Sequence, residues 1–239
     1  MRSSKRPVGS RARPVSAVGG VDGMGHVPHV LLPGPWDGPL VSLSPDTRRH
    51  LEMVLRLRDG SPCSYTDGAG SSGNGVIEGD AIRRGRERLD PPMPDVTLAV
   101  APPAAKDRLR WLVEKSCELG VTRIRWIRTR YGEGRIPRPD RAASWAQMAM
   151  EQSRRTYITE IDDGWCTFSD LPAPRVVLDA AGDTLARIDP PCTVVVGPEG
   201  GWASGEVPAD AVRVTLGDGV LRTETAAILG VFVSQRAAH

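Results

Sequence analysis

The run Thr193-Val194-Val195-Val196 breaks into Gly197-Pro198-Glu199-Gly200-Gly201-Trp202, and a second glycine turn follows at Leu216-Gly217-Asp218-Gly219-Val220-Leu221. Each break places backbone without a Cβ at the end of an apolar strand, where N–H and C=O groups can approach a ligand closely. Neither loop carries the Gly-Lys-Ser/Thr ending with which a P-loop holds phosphates and magnesium, so a nucleoside triphosphate is not the expected ligand. The pattern points instead to a pocket for a nucleotide-like cofactor.

Around these loops the chain reads as two units. Asp90-Pro91-Pro92-Met93-Pro94 is too proline-rich to continue a strand or helix, which puts a boundary between a first unit over 26–90 and a second over 95–239. In the second unit, 96–101 reads as a strand, and Leu109, Leu112, Val113, Cys117 and Leu119 approximate helical spacing, with Asp107 as the expected N-cap and Gly120 as the stop. Strands over 124–127, 175–179, 193–196 and 212–216, a helix over 141–154 and a closing helix from Thr223 extend a β-α alternation. That is the pattern of an α/β domain with a parallel sheet covered on both faces. In the first unit, Val30-Leu31-Leu32, Leu40-Val41-Ser42-Leu43 and Gly75-Val76-Ile77 are short apolar pieces between turns, consistent with a small β domain, with one helix expected over 50–57. Gly68-Ala69-Gly70-Ser71-Ser72-Gly73 satisfies G-x-G-x-x-G but lacks a buried strand before it and a helix after it, so it is expected to be a flexible surface loop.

Composition limits the setting. With 239 residues, 40% of them apolar and 25% charged, the chain can bury a sizeable core as one or two domains. No apolar stretch approaches membrane-spanning length, and the basic Gly/Ser/Pro/Arg-rich residues 1–25 lack the apolar centre of a secretory signal. They read as a disordered tail, with Met24 as a possible true start and an electrostatic RNA-binding arm as the alternative. Cys63, Cys117, Cys166 and Cys192 form no C-x-x-C pair and have no histidine close in sequence, so no metal site is expected and the thiols are read as reduced, in the cytoplasm. The net charge of +2 is uneven: residues 171–239 hold 5 Arg against 8 Asp or Glu, a balance of −3, which leaves +5 on residues 1–170. The densest basic stretch is Arg123, Arg125, Arg128, Arg130, Arg135, Arg138 and Arg141, interrupted only by Glu133 and Asp140 and interleaved with Trp126 and Tyr131, and it suits phosphate contacts and base stacking. A solvated loop in an arginine-rich chain is the alternative.

Gly197-Pro198-Glu199-Gly200-Gly201-Trp202 followed by Leu216-Gly217-Asp218-Gly219-Val220-Leu221-Arg222-Thr223-Glu224-Thr225-Ala226 resembles the 16S rRNA (uracil-N3)-methyltransferases, a branch of the SPOUT methyltransferases. The resemblance extends through Lys106-Asp107-Arg108, Glu114-Lys115, Glu118-Leu119-Gly120-Val121 and Glu151-Gln152-Ser153-Arg154, and more weakly through Arg49-His50-Leu51, Val54-Leu55-Arg56 and Asp59-Gly60. Where it implies an arginine two residues after Leu216-Gly217, this chain has Gly219. It implies a PUA-like barrel over 26–90, a SPOUT domain over 95–239 with a C-terminal trefoil knot, otherwise nearly absent from proteins, a homodimer, and S-adenosylmethionine as cofactor.

By the same resemblance the cofactor is lined by Leu178 to Ala180, Gly197 to Trp202 and Leu216 to Leu221. Gly200, Gly201 and Gly217 would bring main-chain groups to the adenosine, and Leu216, Val220 and Leu221 would face the adenine. For Trp202, core packing is the competing role. The implied acceptor is N3 of a uracil in 16S rRNA of the small ribosomal subunit, a base that must be extruded and lose a proton. Glu199, Glu224 or water would take that proton, with Arg222 or Arg154 stabilising the uracil anion. Lys106, Arg123, Arg125, Arg128, Arg130 and Arg154 are the expected RNA contacts. A SPOUT ribose 2′-O-methyltransferase and an RNA-binding homologue without turnover are the alternatives.

Overall fold

The computed structural model describes residues 27–53, 56–184 and 187–237. The basic segment before them and Met24 lie outside the described residues, as do Val54 and Leu55.

The N-terminal half is a five-stranded sheet built from β1 (His29–Leu31), β2 (Leu40–Ser42), β3 (Pro62–Thr66), β4 (Ser71–Glu78) and β5 (Ala81–Leu89), in the order β1-β3-β4-β5-β2. The β1–β3 pair is parallel and the others are antiparallel. Val30, Leu32, Leu51, Tyr65, Ile77 and Ile82 form its core. Helix α1 spans Pro45–Met53 rather than 50–57. Ser44 sets its start, because its Oγ accepts the Thr47 N–H at 3.0 Å and Pro45 fits the first helical turn, where no N–H is needed.

The glycine decoy is structured, which corrects the flexible-loop expectation. Only 67–70 turn; Ser71 onward is strand β4, and Ser72 is buried. A Cβ on Gly73 would lie 2.6 Å from the Tyr65 ring, so the bare backbone is what admits that ring into the core. The turn also forms the seam with the second half: the Gly70 N–H donates to Thr156 O and the Ile158 N–H to Gly68 O, each at 2.9 Å.

The second half is a wholly parallel six-stranded sheet: β6 (Val96–Val100), β7 (Arg123–Ile127), β8 (Glu160–Cys166), β9 (Arg175–Thr184), β10 (Cys192–Val196) and β11 (Val212–Thr215), ordered β11-β9-β10-β6-β7-β8. Helices α2 (Lys106–Leu119), α3 (Pro139–Ser153) and α4 (Thr223–Ala237) complete it. Val96, Leu98, Val100, Ile124, Trp126 and Val194 pack toward the helices. Ala99, Ile127, Phe168, Val177, Val195 and Val207 form a smaller cluster. Gly120 stops α2 in the left-handed conformation, φ 87°, but Asp107 is not the N-cap. Ala105 holds that position without a side-chain bond, and Asp107 lies in the first turn, where its charge complements the helix dipole.

The β-α alternation holds only as far as β8. From there to β11 the strands follow one another with a single short helical turn, Phe168–Asp170, among the described residues. Strand β8, Glu-Ile-Asp-Asp-Gly-Trp-Cys, escapes sequence reading because it is a sheet edge whose polar residues serve neighbours: Asp162 pairs with Arg123 and Arg125 at 2.7 and 3.0 Å, and its carbonyl accepts the Trp126 indole N–H at 2.8 Å.

Candidate active site

The site forms where the sheet loses its register. Strand β11 pairs Val212 and Arg213 with Val176 and Val177, then jumps so that Val214 and Thr215 face Asp183 and Thr184. Residues 178–182 of β9 therefore bulge away from β11, and this is a natural place for a cleft because a bulge re-aims side chains and frees backbone groups. Asp179 pins the bulge: its Oδ1 accepts the Ala181 N–H at 3.0 Å and its Oδ2 accepts from Arg213 at 2.8 Å.

The resulting cleft is walled by Leu178, Asp179 and Ala180 from the bulge, Val196 to Glu199, Gly201 and Trp202 from the loop after β10, Val214 to Leu216, then Gly219, Val220, Leu221, Thr223 and Ala226. It lies beyond the carboxyl ends of parallel strands, the usual ligand position of open α/β sheets. Thr223 joins its two glycine loops, donating from Oγ1 to Gly197 O at 3.0 Å as α4 begins. A Cβ on Gly197 would sit 2.8 Å from the Trp202 indole. Trp202 thus packs over the bare Gly197 backbone, against the smaller core cluster, while also lining the cleft.

The charged groups that reach the cleft are carboxylates, of which Asp179 is already paired with Arg213. Asp179 and Glu199 line it, no lysine or arginine does among the described residues, and the remaining lining side chains are mostly apolar. Glu199 also lines a second hollow, with Ala104, Ala105, Arg108, Tyr131, Glu133 and Gly200. Arg108 stands between two carboxylates there, its Nη1 3.8 Å from Glu199 Oε1 and its Nε 3.8 Å from Glu224 Oε1. Glu224 is buried, and its Oε2 has no hydrogen-bond partner among the described residues.

Residues 90–233 match the family described as RNA methyltransferase domain. The chain belongs to that family. The ribosomal RNA small subunit methyltransferase E of Rickettsia conorii is 27% identical over 213 residues, 80% of this chain and 87% of that protein. Among solved structures, the Neisseria gonorrhoeae ribosomal RNA small subunit methyltransferase E bound to S-adenosyl methionine is 26% identical, with a TM-score of 0.75 over 86% of this chain and 95% of that one. A Legionella pneumophila methyltransferase structure with bound SAM shares the fold, with a TM-score of 0.77 at 24% identity over 90% of this chain and 98% of that one.

In this RNA methyltransferase, ten sequence-derived cofactor positions fall out as follows. Leu178, Gly197, Glu199, Gly201, Trp202, Leu216, Val220 and Leu221 line the cleft, Glu199 facing the second hollow as well; Gly200 faces that hollow only, against Tyr131. Gly217 does not line the cleft but shapes its loop, with a φ of 150° that disfavours any side chain. A Cβ at Gly219 meets nothing within 4 Å, so a side chain could leave the backbone there without a clash at its first atom.

The expected RNA contacts are more dispersed. Arg123 and Arg125 are bound to Asp162, Arg128 lies 4.6 Å over the Trp165 ring, and the Arg130 backbone N–H is held by Glu206. Lys106 is exposed at the start of α2. Arg154 ends α3, donates to Val27 O and lines a hollow with Arg86 and Arg88 of the N-terminal sheet, not the cleft. Arg222 is exposed immediately before α4. Sequence reasoning did not place Arg108, Arg86 or Arg88 at a site. The signal for Arg108 was its position in the Lys106-Asp107-Arg108 resemblance.

All four cysteines are buried and unpaired, and burial pushes the thiols of Cys63, Cys117 and Cys192 up to about 11, so they stay protonated at neutral pH. No helix among the described residues is long and apolar enough to cross a membrane.

Proposed function

We propose that this chain is a cytoplasmic S-adenosylmethionine-dependent methyltransferase that acts on N3 of a uridine in the 16S rRNA of the small ribosomal subunit. The SPOUT knot, the PUA-like character of the N-terminal sheet and a homodimeric state belong to the same reading. The observation that carries it is the cleft at the register break, which offers apolar walls for an adenine, backbone groups freed by glycine, and the carboxylate of Glu199 to complement a sulfonium cation. When bound, the cofactor supplies an electrophilic methyl group.

The chain's own residues then account for the rest. The N3 proton of the extruded base passes to a carboxylate, and Glu224 is favoured because it is held buried with one oxygen unpartnered. Glu199, which lines both cleft and hollow, is the other acceptor, whereas Glu224 stands behind Arg108 at 3.8 Å. Of the two cations first considered for the uracil anion, Arg222 precedes α4 beside the cleft, whereas Arg154 serves the seam between the halves. Arg86, Arg88 and Arg154 form a basic hollow suited to phosphate.

The deciding experiment is methyl transfer from labelled S-adenosylmethionine to small subunits from a strain lacking this gene, followed by nucleoside mass spectrometry. Appearance of 3-methyluridine is expected; a 2′-O-methyl nucleoside would identify the ribose branch, and cofactor binding without transfer a degenerate enzyme. In the same preparation, Gly197→Ala is expected to weaken cofactor binding about tenfold by calorimetry, since moving Trp202 aside costs on the order of 1–3 kcal/mol.

The dimer has its own test. Trp111 on α2 and Leu229 and Phe232 on α4 are 42%, 39% and 43% exposed, and because these helices pack against each other we take them as the candidate interface. Phe232→Glu is expected to convert a dimer to a monomer in sedimentation equilibrium. An unchanged mass would move the interface elsewhere.

A further inference from the structure

The hollow beyond Glu199 has features that the cleft does not explain. It is lined by Ala104, Ala105, Arg108, Tyr131, Glu133, Glu199 and Gly200, and shares with the cleft only Glu199. Two recesses that meet at a single carboxylate have the layout a transfer reaction needs, with donor and acceptor on opposite sides of one contact point.

Arg108 is the second feature. Both of its carboxylate neighbours stand at 3.8 Å, beyond hydrogen-bond reach, and no hydrogen bond of its guanidinium occurs among the described residues. This differs from the arginines on β7, which are held by Asp162 at 2.7 and 3.0 Å. The Arg108 side chain is 39% exposed, so its donors face the hollow while the two carboxylates keep it there without saturating it. The third feature is Tyr131, which is 50% exposed and whose Cβ rests on Gly200: a Cβ added to that glycine would lie 2.9 Å away. An aromatic ring held at its root and open on its face is a stacking platform for a base.

We propose that this hollow receives the acceptor base, stacked on Tyr131, and that Arg108 is the catalytic cation donating hydrogen bonds to a pyrimidine carbonyl oxygen beside N3. The inference rests on the uracil reading given above and names the residue that completes it. In the reaction the N3–H bond breaks, its proton goes to a site carboxylate, and its electron pair forms the new N3–methyl bond. The methyl–sulfur bond breaks with its electrons on sulfur, leaving a neutral thioether. Negative charge that builds on the carbonyl oxygen as the proton leaves is met by Arg108, already oriented by Glu199 and Glu224.

The test compares the unchanged chain with Arg108→Gln and Arg108→Lys in methyl transfer to small subunits from neutral to alkaline pH, together with S-adenosylmethionine affinity by calorimetry. Loss of one such donor is expected to lower turnover of Arg108→Gln about 10²–10³-fold at neutral pH, with unchanged cofactor affinity and partial recovery in Arg108→Lys. The deficit should shrink as pH rises, because the base then loses its proton to solution and needs the cation less; a purely structural role would not produce that slope. Tyr131→Ala should raise KM for the subunit while Tyr131→Phe stays near the unchanged chain. Equal turnover of Arg108→Gln and the unchanged chain at every pH, or a parallel loss of cofactor affinity, overturns the inference alone. No transfer by the unchanged chain overturns the proposed function and this inference with it.

Discussion

Glu224→Gln is expected to lower methyl transfer about 10²–10⁴-fold, the range for removing a positioned proton acceptor. The substitution keeps the shape of a side chain that is 9% exposed, so the loss should not be a loss of fold. Glu224 itself does not line the cleft, and S-adenosylmethionine affinity should therefore be unchanged. Single-turnover measurements at saturating cofactor isolate the step. Glu199→Gln is the comparison: its side chain is 47% exposed and is open to replacement by water, so a smaller effect is expected. If the two variants exchange places, with Glu199→Gln the more damaged, the proton acceptor is Glu199.

The second large effect is on stability. Trp126 is fully buried at 0% exposure in β7, and its indole N–H donates to the Asp162 carbonyl at 2.8 Å on the edge strand. Truncation in Trp126→Ala is expected to cost about 3–5 kcal/mol, combining lost transfer energy with the cavity left behind. At about 2–4 °C per kcal/mol for a chain of this size, the melting temperature should fall by roughly 10 °C. The same change leaves a backbone carbonyl on β8 without its donor, which adds to the loss. Melting followed by circular dichroism checks it. A drop of only a degree or two would mean that α3 collapses into the space, which the close fit of Ala146 and Ala149 in the same cluster argues against.

Much of the second half was legible because its signals are local. The buried valines of β10 and the 3.6-residue spacing of Leu109, Leu112, Val113 and Cys117 report elements that bury a face wherever they are placed. Strands β3, β5 and β8 were not legible for the opposite reason. Their polar residues are explained by partners distant in sequence: Tyr65 donates to Glu87 at 2.6 Å, and Asp162 answers Arg123 and Arg125. The arginine-rich stretch shows the same limit. Read along the chain it is one basic surface, but the parallel pairing of β7 with β8 neutralises two of its members, and Arg128 lies over Trp165.

The sequence by itself determined the glycine loops and the α/β class, and the resemblance it carries named the chemistry to look for. These are legible because a glycine that must approach a ligand and a strand that must be buried each leave a mark within a few residues. The tertiary structure alone decided where the site opens and what stands in it. The shift of β11 along β9 between Arg213 and Val214 creates the cleft, and the packing of α4 against α2 brings Glu224 within 3.8 Å of Arg108 across more than a hundred residues. Register and helix packing are settled by contacts between segments far apart in the chain, so no local pattern records them.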